Sequence, residues 1–290
     1  MEKYSIGVDI GGTKCSVVLG GEYIPENDLD NFVKDKICFP TEAIKGPEYT
    51  IHNICHAIHD IINRNNLYKD SVIGIGISCG GPLDHIQGII MNPPNLYGWN
   101  NIRITELLEK EFGIHAQLQN DANACALAEW KFGAARGYNN VVFLTYGTGM
   151  GAGLILNGRL YNGANDMAGE IGHIRLSSEG PVGFGKAGSF EGFCSGNGIA
   201  QIARTKVLEQ LQSGIKPDFC PDFDSLDHLS AKLIAQAAER GNELANEIYK
   251  ISGHYLGIGL SILIDILNPE IIVWEVSMKE VKTFFGQAHK

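Results

Sequence analysis

Two glycine-rich turns, each between two apolar segments, restrict the fold of this chain more than any other feature. The first glycine turn is Asp9-Ile10-Gly11-Gly12-Thr13-Lys14, and the second is Gly147-Thr148-Gly149-Met150-Gly151-Ala152-Gly153. Glycine lets a backbone turn sharply and lets its N–H groups come close to a bound anion. Each turn joins one predicted strand to the next, so the sequence predicts two β-hairpins able to cradle phosphate.

An ordinary hairpin is the alternative for both turns. One or two glycines suffice in such a turn, whereas the second turn has four that alternate along the chain. In the first turn, Asp9 would add a carboxylate able to hold Mg²⁺ through water, and Thr13 a hydroxyl donor. The first turn lacks the following helix of a Walker A loop, and the second lacks the spacing of dinucleotide-binding loops. Together the two turns favour phosphate binding.

Strand and helix patterns alternate along the rest of the chain. Apolar residues recur with helical spacing over residues 48–64, 122–132, 198–212, 229–239 and 243–267. Apolar runs typical of strands lie at 71–78, 114–118, 140–146 and 271–273. This interleaving indicates layered α/β structure. Since no linker of Pro or Ser is present, we place the domain boundary near Asn120, between predicted domains 1–119 and 120–290.

Composition and charge favour a small-molecule partner in the cytoplasm. The chain has 290 residues and a formal net charge of −10, which disfavours nucleic acid because phosphate binding needs a basic face. The N-terminus lacks a signal-peptide pattern. The apolar stretch at 251–267 contains His254 and Asp265, which favours a core helix over a membrane span. None of the seven cysteines forms a CxxC pair, which indicates reduced thiols.

Further segments carry side chains suited to a sugar. Gly80-Gly81-Pro82 follows a predicted buried strand and would let a sugar approach the backbone. The loop at 92–99 offers amides and aromatic rings, and Asn95 is its best candidate ligand, although Asn beside Pro is equally typical of a structural turn. Asp121 begins a helix just after Asn120. The residues alone leave Asp121 equally consistent with a helix N-cap and with a catalytic carboxylate.

Four ordered motifs resemble the ROK family of bacterial sugar kinases, which is related to actin and the hexokinases. They are DIGGTK at 9–14, QNDANACALAE at 119–129, GTGMGAG at 147–153 and GEIGH at 169–173. The similarity runs from residue 4 to about residue 273. It implies two ribonuclease-H-like α/β domains that close over ATP and a hexose in an interdomain cleft. It also implies a homodimer.

The resemblance implies a role for individual residues. It makes Asp121 the general base, which agrees with the need of phosphoryl transfer for one carboxylate near the attacking hydroxyl. The residues implied to hold nucleotide phosphates are Gly11, Gly12, Thr13, Lys14, Gly147, Thr148, Gly149 and Gly151. Those implied to surround the sugar hydroxyls are Asn120, Asp121, Glu170, His173 and Glu191.

The sequence departs from the family pattern in two places. Many members have a CxCGxxGCxE zinc motif, but its cysteine positions are Val182, Phe184 and Ser189 here, so we expect no structural zinc. We expect His173 to serve the sugar alone, with packing of Val182 and Phe184 in place of the metal. Relatives also continue past the strand at 268–273 into a glycine turn and more helices. This chain lacks that turn, and we predict a last helix at 279–285.

The sequence therefore predicts an enzyme that uses ATP and Mg²⁺ to phosphorylate a glucose-like or N-acetylated hexose at a primary hydroxyl, the 6-OH. The divergent C-terminal end leaves a weak or silent sugar- or nucleotide-binding protein as an alternative. Gly76-Ile77-Ser78-Cys79-Gly80 matches the GxSxG of serine hydrolases, although a loop follows where the nucleophile elbow needs a helix. A repressor would need a DNA-binding helix-turn-helix, for which we expect no room before Asp9.

Overall fold

The computed structural model describes residues 2–21 and 32–275, which form two compact units. Unit 1 takes in the described residues up to Phe132 together with Asn162–Ala168, and unit 2 takes in Gly133–Tyr161 and the described residues from Gly169 onward. The division therefore comes after the helix that begins at Asp121, and not before it at Asn120. The reason is packing, because this helix lies against two strands of unit 1. The predicted helix at 279–285 lies outside the described residues.

Unit 1 is built on a five-stranded sheet. Its strands are β1 (Tyr4–Ile10), β2 (Lys14–Gly21), β3 (Val33–Pro40), β4 (Val72–Cys79) and β8 (Ala116–Asn120), in the spatial order β3-β2-β1-β4-β8. β1 and β2 form the predicted antiparallel hairpin, while β4 runs parallel to both β1 and β8. The short strands β5 (Leu83–Asp84), β6 (Ile89–Ile90) and β7 (Ile102–Arg103) form a separate sheet.

The helices of unit 1 are α1 (Pro47–Arg64), α2 (Ile104–Phe112) and α3 (Asp121–Phe132). α1 has Pro at its first position, where the missing N–H costs nothing, and it buries Ile54, Ile58 and Ile61 at helical spacing. Its contacts are with β2 and β3. The alternating apolar residues of β1, Ile6, Val8 and Ile10, complete this core.

Unit 2 contains a four-stranded sheet and a group of helices. The strands are β9 (Val141–Tyr146), β10 (Met150–Leu156), β11 (Arg159–Leu160) and β14 (Ile271–Glu275), in the order β11-β10-β9-β14. The hairpin of β12 (Val182–Gly183) and β13 (Lys186–Ala187) precedes the helices. These are α4 (Phe190–Cys194), α5 (Gly196–Gln212), α6 (Ala231–Glu239) and α7 (Glu243–Leu267), which contact one another.

Within the described residues, α7 is the one helix whose length and apolar composition would suit a membrane span, a test that core helices also pass. It buries a stripe that includes Ile248, Leu256 and Leu263. At Gly259 a Cβ would collide with the ring of Phe190, so glycine here lets α4 and α7 pack closely. The expected core helix therefore has one buried face, since other residues of α7 are exposed.

Candidate functional site

Three neighbouring strands of unit 1 run in parallel and end at one edge of the sheet. The register aligns Ile10 with Cys79, and Cys79 with Asn120. The segments that leave this edge are the first glycine turn, the Gly80-Gly81-Pro82 bend and the start of α3. In open α/β sheets, ligands bind outside the carboxyl ends of the strands. The structure thus brings together three segments that the sequence singled out separately.

A buried threonine supports the first glycine turn from behind. Within the turn, the Gly11 amide donates to the Lys14 carbonyl at 3.2 Å. The Thr41 hydroxyl donates to the Gly11 carbonyl at 2.5 Å, and the Thr41 amide donates to the Thr13 carbonyl at 3.0 Å. Thr41 is fully buried. Sequence reasoning missed this residue, because a single threonine after a strand has no pattern that distinguishes it.

The first glycine turn lies directly against the loop that carries Asn95. A Cβ on Gly12 would lie 2.7 Å from both the Cβ and the carbonyl oxygen of Asn95, closer than real Cβ atoms approach. Leu96 and Trp99 are buried and anchor the loop, while Asn95 itself is exposed. A predicted phosphate loop and a predicted sugar ligand are therefore in contact, and glycine at position 12 is what permits it.

Asp9 lies near a second carboxylate at this edge. The Ser78 hydroxyl donates a hydrogen bond to its side chain. Partial burial raises the pKa of the Asp9 carboxyl above its usual value; the hydrogen bond from Ser78 opposes this rise, and the Asp121 carboxylate adds to it. A divalent cation nearby would favour the ionised form of Asp9. Asp9 therefore fits Mg²⁺, with water and phosphate oxygens as the remaining ligands.

The serine hydrolase alternative does not fit the structure around Ser78. Ser78 lies within β4, and its hydroxyl is hydrogen-bonded to Asp9. The chain continues into the Gly80-Gly81-Pro82 bend and then into β5, whereas a nucleophile elbow leads directly into a helix. Ser78 is thus a supporting residue of the acidic edge, a role that the GxSxG match did not suggest.

At the start of α3, the helix cap and the candidate base are two neighbouring residues, Asn120 and Asp121. The Asn120 side-chain oxygen accepts from the amides of Ala122 at 3.0 Å and Asn123 at 3.4 Å, which is the geometry of an N-cap. Asp121 is exposed, and one of its oxygens accepts from Ala122 at 2.8 Å. Asn120 is therefore the cap, and the Asp121 carboxylate can accept a proton.

In unit 2, the second glycine turn is shorter than the sequence suggests. β10 already begins at Met150, so Gly151 and Gly153 lie in a strand, and the turn itself is Gly147-Thr148-Gly149. The Gly147 amide donates to the Gly149 carbonyl at 3.0 Å. Of the predicted phosphate residues here, Gly151 is therefore wrongly assigned to the loop, because alternating glycines in a strand look the same in sequence as glycines in a turn.

The N-terminus of α5 adjoins the second glycine turn. The Gly196 amide donates to the Gly147 carbonyl at 3.0 Å, and the Ser195 hydroxyl accepts from the Gly198 amide at 3.1 Å as an N-cap. The N-terminus of a long helix attracts anions through its free amides and its dipole. Sequence reasoning missed this feature, although Ser195 followed by glycines before a helical pattern is a recognisable signal.

Glu191 connects the second glycine turn with the GEIGH segment. Its Oε2 accepts from the Met150 amide at 2.9 Å, and a Cβ on Gly149 would lie 2.8 Å from that oxygen. A Cβ on Gly172 would lie 2.5 Å from the Met150 carbonyl and 3.1 Å from the Glu191 Cβ. The segment after Gly172 is thus packed against both the turn and Glu191. Unit 2 therefore gathers three of the predicted motifs.

His173 has an aromatic neighbour in place of the expected free ring. The ring of Phe184 stacks on that of His173, with centroids 4.7 Å apart and planes 17° from parallel. Lys186 Nζ donates to the His173 carbonyl at 2.8 Å, and Glu170 Oε2 lies 3.7 Å from His173 Nε2. The predicted packing of Phe184 is therefore observed. The structure brings it together with two predicted sugar ligands.

The other two cysteine positions of the zinc pattern have different contacts. Val182 is 47% exposed, and its backbone pairs with the side chain of Gln201 instead of packing inward. Ser189 is buried and caps α4 by accepting from the Gly192 amide at 3.0 Å. Within residues 2–21 and 32–275, no group of three or more His, Cys, Asp or Glu side chains could hold a metal ion. Ser189 thus caps α4, and Phe184 contacts the ring of His173.

The family resemblance implies that His173 binds a sugar. If it does, replacing Phe184 with Ala should raise the KM for that sugar about 3- to 10-fold, because one aromatic stack contributes roughly 0.5–1.5 kcal/mol to the orientation of a ring. Phe184 is 71% exposed, so the melting temperature should change little. Phe223→Ala removes a phenylalanine of similar exposure elsewhere in unit 2 and is the matched control. Steady-state kinetics with varied sugar checks this, and equal KM values for both variants would contradict it.

Comparison with known proteins agrees with this set of motifs. The sequence model described as "ROK family" matches residues 5–289. A glucokinase from Halalkalibacterium halodurans is 34% identical over 277 residues, which cover 94% of this chain and 79% of that protein. A xylose repressor from Bacillus spizizenii is 30% identical over 278 residues, which cover 96% of this chain and 65% of the repressor.

Solved structures show the same fold. A ROK family glucokinase from Streptomyces griseus, in complex with glucose and AMPPNP, matches with a TM-score of 0.74 and 26% identity. The match covers 98% of this chain and 86% of that chain. The predicted mixed α/β class of the actin and hexokinase type is therefore confirmed. Both enzymes and repressors are among the proteins to which this chain is similar.

Proposed function

We propose, since this chain belongs to the ROK family, that it transfers the γ-phosphate of ATP to a primary hydroxyl, the 6-OH, of a glucose-like or N-acetylated hexose. The observation that carries the proposal is the edge of the unit 1 sheet. There an exposed carboxylate at a helix N-terminus, Asp121, lies close to the acidic Asp9 and the first glycine turn. Phosphoryl transfer needs these parts: a base, a cation site and a phosphate cradle.

In this proposal, Asp121 accepts the proton of the attacking hydroxyl. The cap at Asn120 holds its backbone in place at the start of α3. Asn120, Gly81, Pro82 and Asn95 would contact the sugar from the same side of unit 1. The backbone at Gly81 is open to such an approach, because a Cβ there would meet only the Asn120 amide at 3.6 Å.

The proposed donors to the phosphates are the backbone amides of the two glycine turns. In unit 1 the donors are those of the first glycine turn, at Gly11, Gly12 and Thr13, with Lys14 as a nearby cation. In unit 2 they are those at Gly147, Thr148 and Gly149, beside the N-terminus of α5. Mg²⁺, when bound near Asp9, supplies neutralisation of phosphate charge.

Three residues of unit 2 are sugar ligands by the family resemblance. Glu170, His173 and Glu191 can each hydrogen-bond to hydroxyls, and carboxylates can accept from two hydroxyls at once. One oxygen of Glu191 is already used by the Met150 amide, which leaves the other for a ligand. A homodimer stays a prediction from the family resemblance, and a cytoplasmic location stays a prediction from the cysteines and the N-terminal pattern.

The second candidate is a protein that binds sugar without transferring phosphate. The similarity to xylose repressors favours it, because it links this sequence to proteins whose names indicate regulation. Such a protein would bind sugar at the acidic edge of unit 1, but it would neither hydrolyse ATP nor transfer its γ-phosphate.

A coupled assay of ADP release over a panel of hexoses tests the proposal on the full chain with ATP and Mg²⁺. We expect release that depends on one hexose or a few related hexoses, with glucose and N-acetylated hexosamines in the panel. Calorimetric sugar binding without any release would instead support the second candidate. Ester hydrolysis that is abolished by Ser78→Ala would support the hydrolase and contradict both.

A further inference from the structure

A chain of hydrogen-bonded side chains in unit 1 leads from the first turn of α3 to the segment at 162–168. Asn123 Nδ2 donates to Gln119 Oε1 at 3.2 Å and to Asn162 Oδ1 at 2.9 Å. Asn162 Nδ2 lies 3.2 Å from His85 Nε2. On the other side of the ring, His85 Nδ1 lies 2.5 Å from Asp166 Oδ1. The five side chains thus form one continuous network.

Asp166 holds both the ring and the backbone of His85. Nε2 of the ring faces the Asn162 side-chain nitrogen, and Nδ1 faces Asp166 Oδ1. The second oxygen of Asp166 accepts from the His85 backbone amide at 2.9 Å. The carboxylate therefore orients the ring, and the ring orients the Asn162 amide. Its oxygen is then directed to Asn123.

The other end of the network surrounds Asp121. Asn123 is 2% exposed and lies two residues after Asp121. Gln119 Oε1 accepts a hydrogen bond from the Asn123 side chain. It also accepts from the Asn120 backbone amide at 2.8 Å. The residues on either side of Asp121 are therefore tied to the same hydrogen-bonded chain. A displacement of about 1 Å at a reacting group lowers rates about 100-fold, so restraint at this turn matters for transfer.

We propose that His85, Asn162 and Asp166 are positioning residues that hold the first turn of α3, and with it Asp121, in the orientation required for phosphoryl transfer. They reach Asp121 only through Asn123 and Gln119. This inference rests on the proposed function, because it assigns a purpose to the orientation of the proposed base.

Kinetics of His85→Ala and Asn162→Ala test the proposal. We expect kcat to fall about 10- to 100-fold in each, as for a misplaced catalytic group, while the KM for the sugar changes less than about threefold. His85→Gln keeps an acceptor near the position of Nε2 and should restore most of kcat. The double variant should be little worse than either single variant, because both break the same chain.

A second measurement tests the restraint of the first turn of α3 without measuring activity. Hydrogen exchange of the Ala122 and Asn123 amides should be about tenfold faster in His85→Ala than in the parent chain, since the first turn loses its restraint. His59→Ala is the matched control: it removes an exposed histidine that is 3.0 Å from Glu111 on α2, and it should change neither kcat nor exchange.

The outcomes separate this inference from the proposed function. An active parent chain whose kcat and amide exchange are unaffected by His85→Ala overturns the positioning role alone. A parent chain without hexose-dependent ADP release overturns the proposed function, and faster exchange in His85→Ala would then still support restraint of α3. Loss of kcat that His85→Gln fails to restore, together with an equal rise in KM, would indicate general damage and overturn the inference.

Discussion

Replacing Asp121 with Asn should lower kcat about 100- to 10,000-fold, the range that general base catalysis contributes. Asparagine has nearly the same shape, so it can still accept from the Ala122 amide and leave the cap at Asn120 intact. What it lacks is the basicity to accept the proton of the attacking hydroxyl. Sugar affinity should therefore stay within about threefold of the parent value. The asparagine side chain can form a hydrogen bond to the bound sugar in place of the one formed by the carboxylate.

ADP release under single turnover conditions measures the loss in kcat, and calorimetry measures sugar binding. Asp265→Asn is the matched control, because it neutralises another exposed helical carboxylate, on α7, far from the proposed site in sequence. It should leave both quantities unchanged. Turnover of Asp121→Asn near that of the parent chain would show that another group takes the proton.

Replacing Gly169 with Ala should lower the free energy of unfolding by about 2–4 kcal/mol, the combined cost of overpacking and a left-handed backbone. Gly169 has a φ of +90°, and a Cβ there would collide with the Ala152 carbonyl. The Gly169 carbonyl accepts from the Ala152 amide at 2.9 Å. Relief of the collision would break this bond and displace Glu170 and His173, so sugar affinity should fall as well.

Thermal and denaturant unfolding measure the change, with Gly257→Ala as control. Gly257 is an exposed helical glycine of α7 around which a Cβ would have open space, so alanine should stabilise the protein by about 0.5–1 kcal/mol. The two glycine-to-alanine changes should therefore have opposite signs. Unaltered stability of Gly169→Ala would mean that the backbone at this point adapts without cost.

Periodicity was sufficient for the elements that bury one regular face. The helices α1, α5 and α7 and the strands β4 and β9 lie close to their predicted positions, because burial selects apolar residues at the period of the element. β3 was not predicted. It is an edge strand whose residues alternate only between exposed and half-buried, and Lys34, Asp35 and Lys36 hide any apolar pattern.

Short sequence motifs also predicted part of the candidate site. Gly12 and Asn95 could be named because glycine and amide side chains at loop positions are typical of ligand binding, and the family resemblance named Asn120 and Asp121. Thr41 and the network of His85 could not be named, because their role depends on neighbours that are distant along the chain. His85 and Asp166, for example, are 81 residues apart.

The sequence by itself determined the α/β class and the two glycine turns, because these depend on local spacing and on residue chemistry, and its resemblance to a family named the candidate base. Only the tertiary structure decided how those parts are held. It assigns the helix cap to Asn120, shortens the second turn by extending β10 and stacks Phe184 on His173. Each of these depends on the three-dimensional geometry of the folded backbone and on which neighbouring group a side chain contacts, and no residue pattern specifies such geometry.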